Sequence, residues 1–209
     1  MKKKPIIIIL LIITASIHAQ MKGLTETGDE VILYNDGTWK YVSDSLNLES
    51  KIIVNDKIFS KNDESTFLVK SNKANVGIWI DPKKWTFSKG DASSPAEFTF
   101  KNKENDLYAM LISEKIELPM ESLIEIALNN AKEAAQNVKV VQREYRKVNG
   151  NDLIMMQMTG SIQGIKFIYF GYYFSNSEGA FQILTYTSQN VFNQTKELME
   201  KFLNGFVTI

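Results

Sequence analysis

Residues 138–188, VKVVQREYRKVNGNDLIMMQMTGSIQGIKFIYFGYYFSNSEGAFQILTYTS, decide the fold of this chain. Three turn signals interrupt this stretch: Asn149-Gly150, Gln163-Gly164 and the segment 175–179. The residues between the turns are rich in apolar and aromatic side chains, over 138–148, 152–161, 164–174 and 180–187. Such segments separated by short turns are typical of antiparallel hairpins. The stretch therefore predicts a meander of three or four strands.

Two helices are predicted on either side of this meander. The first spans 119–136, where Pro119 suits the first helical position and apolar residues recur at helical spacing. The second spans about 189–204, with Ser188 as its cap and Gly205 as its terminator. Earlier strands are predicted at 52–59, 66–70, 76–80, 96–101 and 107–114. The predicted fold class is α+β, a curved antiparallel sheet with two main helices packed on it.

A small β-hairpin is predicted ahead of this domain. The segments 31–34 and 38–42 are strand-like, and Asn35-Asp36-Gly37 between them is a strong hairpin signal. Residues 43–51 are polar and predict a linker. The chain is thus divided into a signal peptide (1–19), a hairpin appendage with its linker (20–51) and the α+β domain (52–209).

The first nineteen residues have the layout of a bacterial secretory signal peptide. Lys2, Lys3 and Lys4 precede an apolar run at 6–13, and small and polar residues lead to a cut near Ala19/Gln20. The run is shorter than the ~20 residues that a membrane-spanning helix needs, so we expect cleavage and no transmembrane helix in the mature chain. Lipid attachment at the cut is excluded because the chain has no cysteine. The predicted location is periplasmic or secreted.

Composition narrows the chemistry that the mature chain can perform. The single histidine, His18, leaves with the signal peptide, and nucleophilic triads and zinc sites draw mainly on histidine and cysteine. We therefore predict no catalytic residues, no metal site, no cofactor and no enzymatic activity. Lys and Arg balance Asp and Glu at 24 each, and removal of Lys2, Lys3 and Lys4 leaves a slightly negative chain. That charge argues against nucleic acid as a partner.

The order of elements from about 76 to 209 resembles the PsbP-like family. The features that carry the resemblance are the turn Pro82-Lys83-Lys84-Trp85, the helix 119–136, the strands 167–174 and 180–187, and the closing helix with Phe202-Leu203-Asn204-Gly205-Phe206. This resemblance implies an α/β/α-type sandwich that acts in binding or in the assembly of larger complexes. It implies no catalytic residues. Separately, residues 28–39 resemble a hairpin found near the start of secreted proteins of Gram-negative bacteria.

Aromatic residues are the candidate ligand-binding or partner-binding residues. Phe170, Tyr172 and Phe174 share one face of a strand. They either fill a core beneath a helix or line an open surface or pocket for an apolar ligand or a partner. Trp79 and Trp85, on either side of a proline turn, either pack within that turn or form a binding platform.

Charged clusters also allow two interpretations each. Glu114, Glu117 and Glu121 are candidates for two-carboxylate hydrolysis, or solvated residues near a helix start. The basic run 143–147 is either an anion site or the alternating charge of an exposed strand, which discourages aggregation. Side chains with oxygen atoms alternate along the segment 102–106. They indicate either a calcium-binding site or an ordinary polar turn.

Three functional hypotheses follow from these observations. The first is an exported, non-enzymatic module that binds an envelope protein or another envelope component. The second is a carrier of a small apolar ligand held between sheet and helix, which a fully packed interior would exclude. The third is a carboxylate-dependent hydrolase.

Overall fold

The computed structural model describes residues 21–24, 30–34, 37–41, 52–91 and 93–209. The predicted signal peptide and the linker 43–51 lie outside the described residues. The chain forms two compact units, residues 1–47 and residues 48–209.

The first unit contains a three-stranded antiparallel sheet. Its strands are β1 (Met21–Leu24), β2 (Glu30–Leu33) and β3 (Trp39–Tyr41), in that spatial order. At the hairpin between β2 and β3, the Tyr34 N–H donates to the Thr38 carbonyl over 2.9 Å. Gly37 has a φ of 82°, in the left-handed region that favours glycine. The other two residues of the predicted turn lie outside the described ranges.

The described part of the second unit, 52–91 and 93–209, contains eleven strands and two helices. The strands that precede the first helix are β4 (Ile53–Phe59), β5 (Phe67–Lys70), β6 (Val76–Ile80), β7 (Trp85–Lys89), β8 (Phe98–Asn102) and β9 (Leu107–Glu114). The remaining elements are α1 (Met120–Ala134), β10 (Lys139–Val148), β11 (Asn151–Ile162), β12 (Ile165–Asn176), β13 (Gly179–Ser188), α2 (Phe192–Leu203) and β14 (Phe206–Thr208).

Eight of these strands form one large sheet, in the order β4-β10-β11-β12-β13-β9-β8-β7. All neighbouring strands are antiparallel except β4, which runs parallel to β10. The prediction of an α+β domain with a large sheet and two main helices is confirmed. The parallel pair was not predicted, because β4 and β10 are far apart in sequence and only the folded chain brings them together.

A smaller sheet, in the order β14-β6-β5, completes the second unit. Gly205 precedes β14, and a Cβ atom on this residue would lie 2.0 Å from the Trp79 carbonyl oxygen. Only glycine fits this close approach of two backbones. The Gly205 carbonyl also accepts a hydrogen bond from the Trp79 N–H. Glycine at the end of the second helix is therefore required by contact with a distant strand as well as by the helix end itself.

The large sheet lies between two apolar layers. On one face, α2 and the smaller sheet bury Phe170, Tyr172 and Phe174 of β12. On the other face, α1 packs on a second core that includes Tyr173. This division follows the strand period of two, which sends alternate side chains of β12 to opposite faces. Neither helix of the described chain is long and apolar enough to cross a membrane.

Candidate functional site

A cavity of about 310 Å³ lies between α1 and the large sheet. Most of its lining is aliphatic or aromatic, and α1, the segment before it and β9, β11, β12 and β13 all contribute. The lining residues are Pro95, Met110, Ile112, Glu114, Ile116, Leu118, Leu123, Ile126, Ala127, Asn130, Ala131, Ala134, Met158, Tyr169, Tyr173, Ala180, Gln182 and Leu184.

The cavity exists because α1 covers only part of its face of the sheet. A helix is roughly 10 Å wide and adjacent strands are ~4.8 Å apart, so one helix covers about two strands. The sheet contacts of α1 are mainly with β11 and β12. The helix lines the cavity with Leu123, Ile126 and Asn130 and with the small side chains of Ala127, Ala131 and Ala134. These alanines leave open a space that larger side chains would fill.

Gln182 is a polar side chain within this apolar lining. It lies in the middle of β13, directly opposite Tyr173 of β12 and Ile112 of β9. Only 8% of its surface is exposed. Its side-chain amide makes no hydrogen bond with another described residue. An amide that could both donate and accept is therefore present in the cavity wall without a partner among the described residues.

Tyr173 is a second polar residue of the cavity wall without a partner. The residue is fully buried, and its hydroxyl has no hydrogen-bond partner among the described residues. Burial, together with the nearby Tyr169, raises the pKa of this hydroxyl far above its usual value. The group therefore stays protonated, and it is fully enclosed. Leaving such a group unpaired in a protein interior costs about 1–3 kcal/mol.

The carboxylates predicted as a candidate pair do not meet at this cavity. Glu114 is exposed at the end of β9 and is the one charged residue in the cavity lining described above. Glu121 lies on α1 and accepts a hydrogen bond from the Tyr145 hydroxyl, which lowers the pKa of the carboxyl. That contact ties the first turn of α1 to β10. Glu117 is exposed and, like Glu121, is not among the lining residues.

The five aromatic candidates lie elsewhere. Trp85, Phe170, Tyr172 and Phe174 are buried in the core on the α2 face, and Trp79 is half-buried. Of the two interpretations of the first four, core packing agrees with the structure, because α2 and the smaller sheet cover that face. The cavity beneath α1 is lined by none of the five. Participation of these residues in binding stays a prediction.

The run 143–147 does not form the exposed strand that its charges suggested. It lies in β10, which β4 covers on its outer side, and Glu144 and Arg146 are each only 7% exposed. The Arg146 guanidinium donates to Glu144 over 2.8 Å and to Glu200 over 2.7 Å. It also donates to the Tyr172 hydroxyl over 3.2 Å. Burial raises the pKa of Tyr172 to about 12.

The candidate calcium segment is a hydrogen-bonded turn. The Asn102 side chain donates to the Lys84 carbonyl over 3.1 Å and accepts from the backbone N–H groups of Glu104 and Asn105. Its oxygen is thus already engaged by the loop. No group of three or more His, Cys, Asp or Glu side chains within the described ranges could hold a metal ion.

Sequence reasoning placed Gln182 in a predicted strand but not in a site. The available signal was a single amide residue within the apolar segment Ala180-Phe181-Gln182-Ile183-Leu184. That signal is weak, because a strand residue can face solvent as easily as a cavity. Only the position of α1 relative to β13 shows whether Gln182 faces solvent or a cavity.

Comparison with solved structures identifies the fold. The chain is similar to the cyanobacterial PsbP protein, CyanoP, from Synechocystis, with a TM-score of 0.53 and 13% identity over 71% of this chain and 95% of that chain. LpqN from Mycobacterium tuberculosis, described as involved in cell envelope biogenesis, has a TM-score of 0.48 and 8% identity over 68% of this chain and 90% of that chain. PA94 from Pseudomonas aeruginosa, of unknown function, has a TM-score of 0.44 and 12% identity over 68% and 96% of the two chains.

The similarity to CyanoP confirms the predicted PsbP-like fold. At 13% identity it establishes the architecture alone. No family model matches the chain, and no curated protein matches it. The function must therefore be argued from the site.

Proposed function

We propose that this protein is an exported, non-enzymatic binding protein that holds a small, mostly apolar molecule in the cavity beneath α1. The observation that carries the proposal is the cavity of about 310 Å³, in a position where a helix and a sheet would otherwise pack together. Pockets for small molecules are typically concave, of ~300–1,000 Å³, and lined by apolar residues with few polar groups. The lining with Gln182 and Tyr173 has this composition.

A fluorescent apolar dye provides the direct test of this proposal. N-phenylnaphthylamine is uncharged and emits strongly only in an apolar environment. We expect saturable binding to the wild-type protein, with one dye molecule per chain. We also expect Ala131→Phe to abolish this binding, because the new ring would occupy the cavity volume next to α1.

Asn129→Phe is the matched control for this experiment. Asn129 is exposed on the same helix and is not a lining residue, so the same side chain is added outside the cavity. This variant is expected to bind the dye like the wild type. Equal binding by wild type and Ala131→Phe, or no binding by the wild type, would refute the proposal.

Export is the second part of the proposal. It rests on the basic start, apolar run and small residues of the segment 1–19. N-terminal sequencing of the protein from its own cells is expected to begin at Gln20. A mature chain that still begins at Met1 would contradict export by this route.

Binding of this protein to an envelope protein remains a prediction. Native mass spectrometry of the protein, purified gently from the cell envelope, separates the two binding hypotheses. A small added mass that is lost on denaturation supports the carrier, whereas a larger complex supports the partner protein and gives its mass.

A further inference from the structure

The Gln182 amide in the cavity wall indicates the kind of molecule that binds there. We infer that the ligand is an uncharged, largely apolar molecule with one neutral hydrogen-bonding group, such as a hydroxyl, that bonds to the Gln182 amide. The inference rests on the proposed function and specifies the ligand class for the same cavity. It distinguishes this ligand from a pure hydrocarbon and from a fatty-acid anion.

Gln182 is the first argument for a neutral polar group. The residue is more than nine-tenths buried and lines the cavity, yet its amide has no partner among the described residues. Unlike the Tyr173 hydroxyl, this amide is not fully enclosed, so a group bound in the cavity can reach it and supply hydrogen bonds. A hydroxyl can accept from the amide NH₂ and donate to the amide oxygen. A hydrocarbon can do neither.

Tyr173 is the direct cross-strand neighbour of Gln182. Side chains in that relation stand roughly 5 Å apart at their Cβ atoms. The Tyr173 hydroxyl is a second buried group without a partner. This hydroxyl is fully enclosed, so it lies beside Gln182 without being in contact with a molecule in the cavity. The Gln182 amide is therefore the group of this pair that a ligand can reach.

The charge of the cavity argues against an anionic ligand. The lining includes the carboxylate of Glu114 and no lysine or arginine. A bound carboxylate would therefore lose its hydration without gaining a cation, and it would also be repelled by Glu114. A neutral head group avoids both costs.

A matched set of ten-carbon probes tests this inference. Decanol carries a neutral hydroxyl, chlorodecane replaces it with a poor hydrogen-bonding group, and decanoate replaces it with an anion. Affinities are measured by displacement of N-phenylnaphthylamine from the wild-type protein and from Gln182→Leu. We expect the ratio of decanol affinity to chlorodecane affinity to fall about tenfold in Gln182→Leu, corresponding to the loss of one or two hydrogen bonds.

Gln157→Leu is the matched control for this substitution. Gln157 lies on β11, is 7% exposed and is not a lining residue, so the same change is made outside the cavity. The affinity ratio in this variant is expected to equal that of the wild type. Decanoate is expected to bind the wild type more weakly than decanol, and Glu114→Gln is expected to narrow that difference.

Tyr173→Phe is an independent second variant. Removal of an unpaired hydroxyl leaves the free protein as stable as the wild type or slightly more stable. Because this hydroxyl is enclosed and not in contact with the cavity, the substitution is expected to leave the affinities for decanol and for chlorodecane unchanged. This pattern differs from that of a structural defect, which would weaken both probes together.

The outcomes separate this inference from the proposed function. If the dye does not bind the wild type, the cavity is no ligand site and both fail. If the dye binds but the affinity ratio is the same in wild type and Gln182→Leu, the cavity is a general apolar site and only the inference fails. Tighter binding of decanoate than of decanol would also overturn it.

Discussion

At the residue scale, Arg146 is the centre of a buried ionic cluster. Its guanidinium contacts Glu144 and Glu200 and lies over the Phe59 ring, 4.5 Å from the ring centre. Each partner reduces the cost of burying the charge. The arginine thereby connects β10, α2 and the ring of Phe59 on β4.

Replacement of Arg146 by methionine is expected to destabilise the protein strongly. Arg146→Met keeps much of the side-chain volume but leaves Glu144 buried without a cation. Breaking a buried pair in this way costs about 3–5 kcal/mol of unfolding free energy, measured by urea denaturation. The neighbouring Lys147→Met is the control, because Lys147 pairs with Asp152 at the surface and such pairs contribute ~1 kcal/mol or less. Equal losses in the two variants would contradict this assignment.

At the element scale, the two helices have different roles. α2 buries Phe202, whose ring lies 4.4 Å from that of Trp85 and 5.0 Å from that of Phe100, measured between ring centres. α1 instead forms one wall of the cavity, where Ile126 remains 42% exposed. We therefore assign stability mainly to α2 and ligand access to α1.

Truncation of one residue in each helix tests this division. Phe202→Ala is expected to lower the unfolding free energy by about 3–5 kcal/mol, because it leaves a void among packed rings. Ile126→Ala is expected to lower it by less than about 1 kcal/mol, since this side chain is already in contact with solvent. Both values come from urea unfolding curves. A loss in Ile126→Ala as large as that in Phe202→Ala would show that α1 is packed like α2.

At the scale of the whole molecule, carboxylates connect distant parts of the second unit. Burial opposes ionisation of Glu144, but hydrogen bonds from Asn55 and Arg146 and the Arg146 charge outweigh it and lower the pKa. Glu97 is also partly buried, and it accepts hydrogen bonds from the Asn72 N–H and the Ser71 hydroxyl, with a net lowering of its pKa. The ionised form of both groups is therefore favoured by folding.

Stability is accordingly expected to fall in acid. A carboxyl whose pKa is lower in the folded state stabilises the protein above its unfolded-state pKa, near 4.5, and this contribution is lost as the pH falls through the folded-state value. Urea unfolding at pH 7, 5 and 3.5 is expected to give a decrease mainly below pH 5. The decrease should be smaller in Glu144→Gln, which has no carboxyl to protonate at this position. An identical decrease in that variant would contradict the role of Glu144.

Much of the local structure could be predicted from the sequence. The strands predicted within 138–188 agree with β10 to β13 to within two residues, because the turns between them carry strong local signals. Asn149-Gly150 and Gln163-Gly164 adopt positive φ angles, which asparagine and glycine favour. β7 was missed because Thr86, Ser88 and Lys89 are polar, and β14 because it has only three residues.

The sequence by itself determined the α+β class, the meander and the helices, because turn residues and apolar periodicity act over a few neighbouring positions. Only the tertiary structure decided which aromatic residues are core, how β4 pairs with β10 and where a cavity remains. Gln182 illustrates the physical reason. Its burial depends on α1, and its lack of a partner depends on β12 and β9, of which α1 and β9 are distant in sequence. The sequence of β13 alone shows neither the burial of Gln182 nor its lack of a partner.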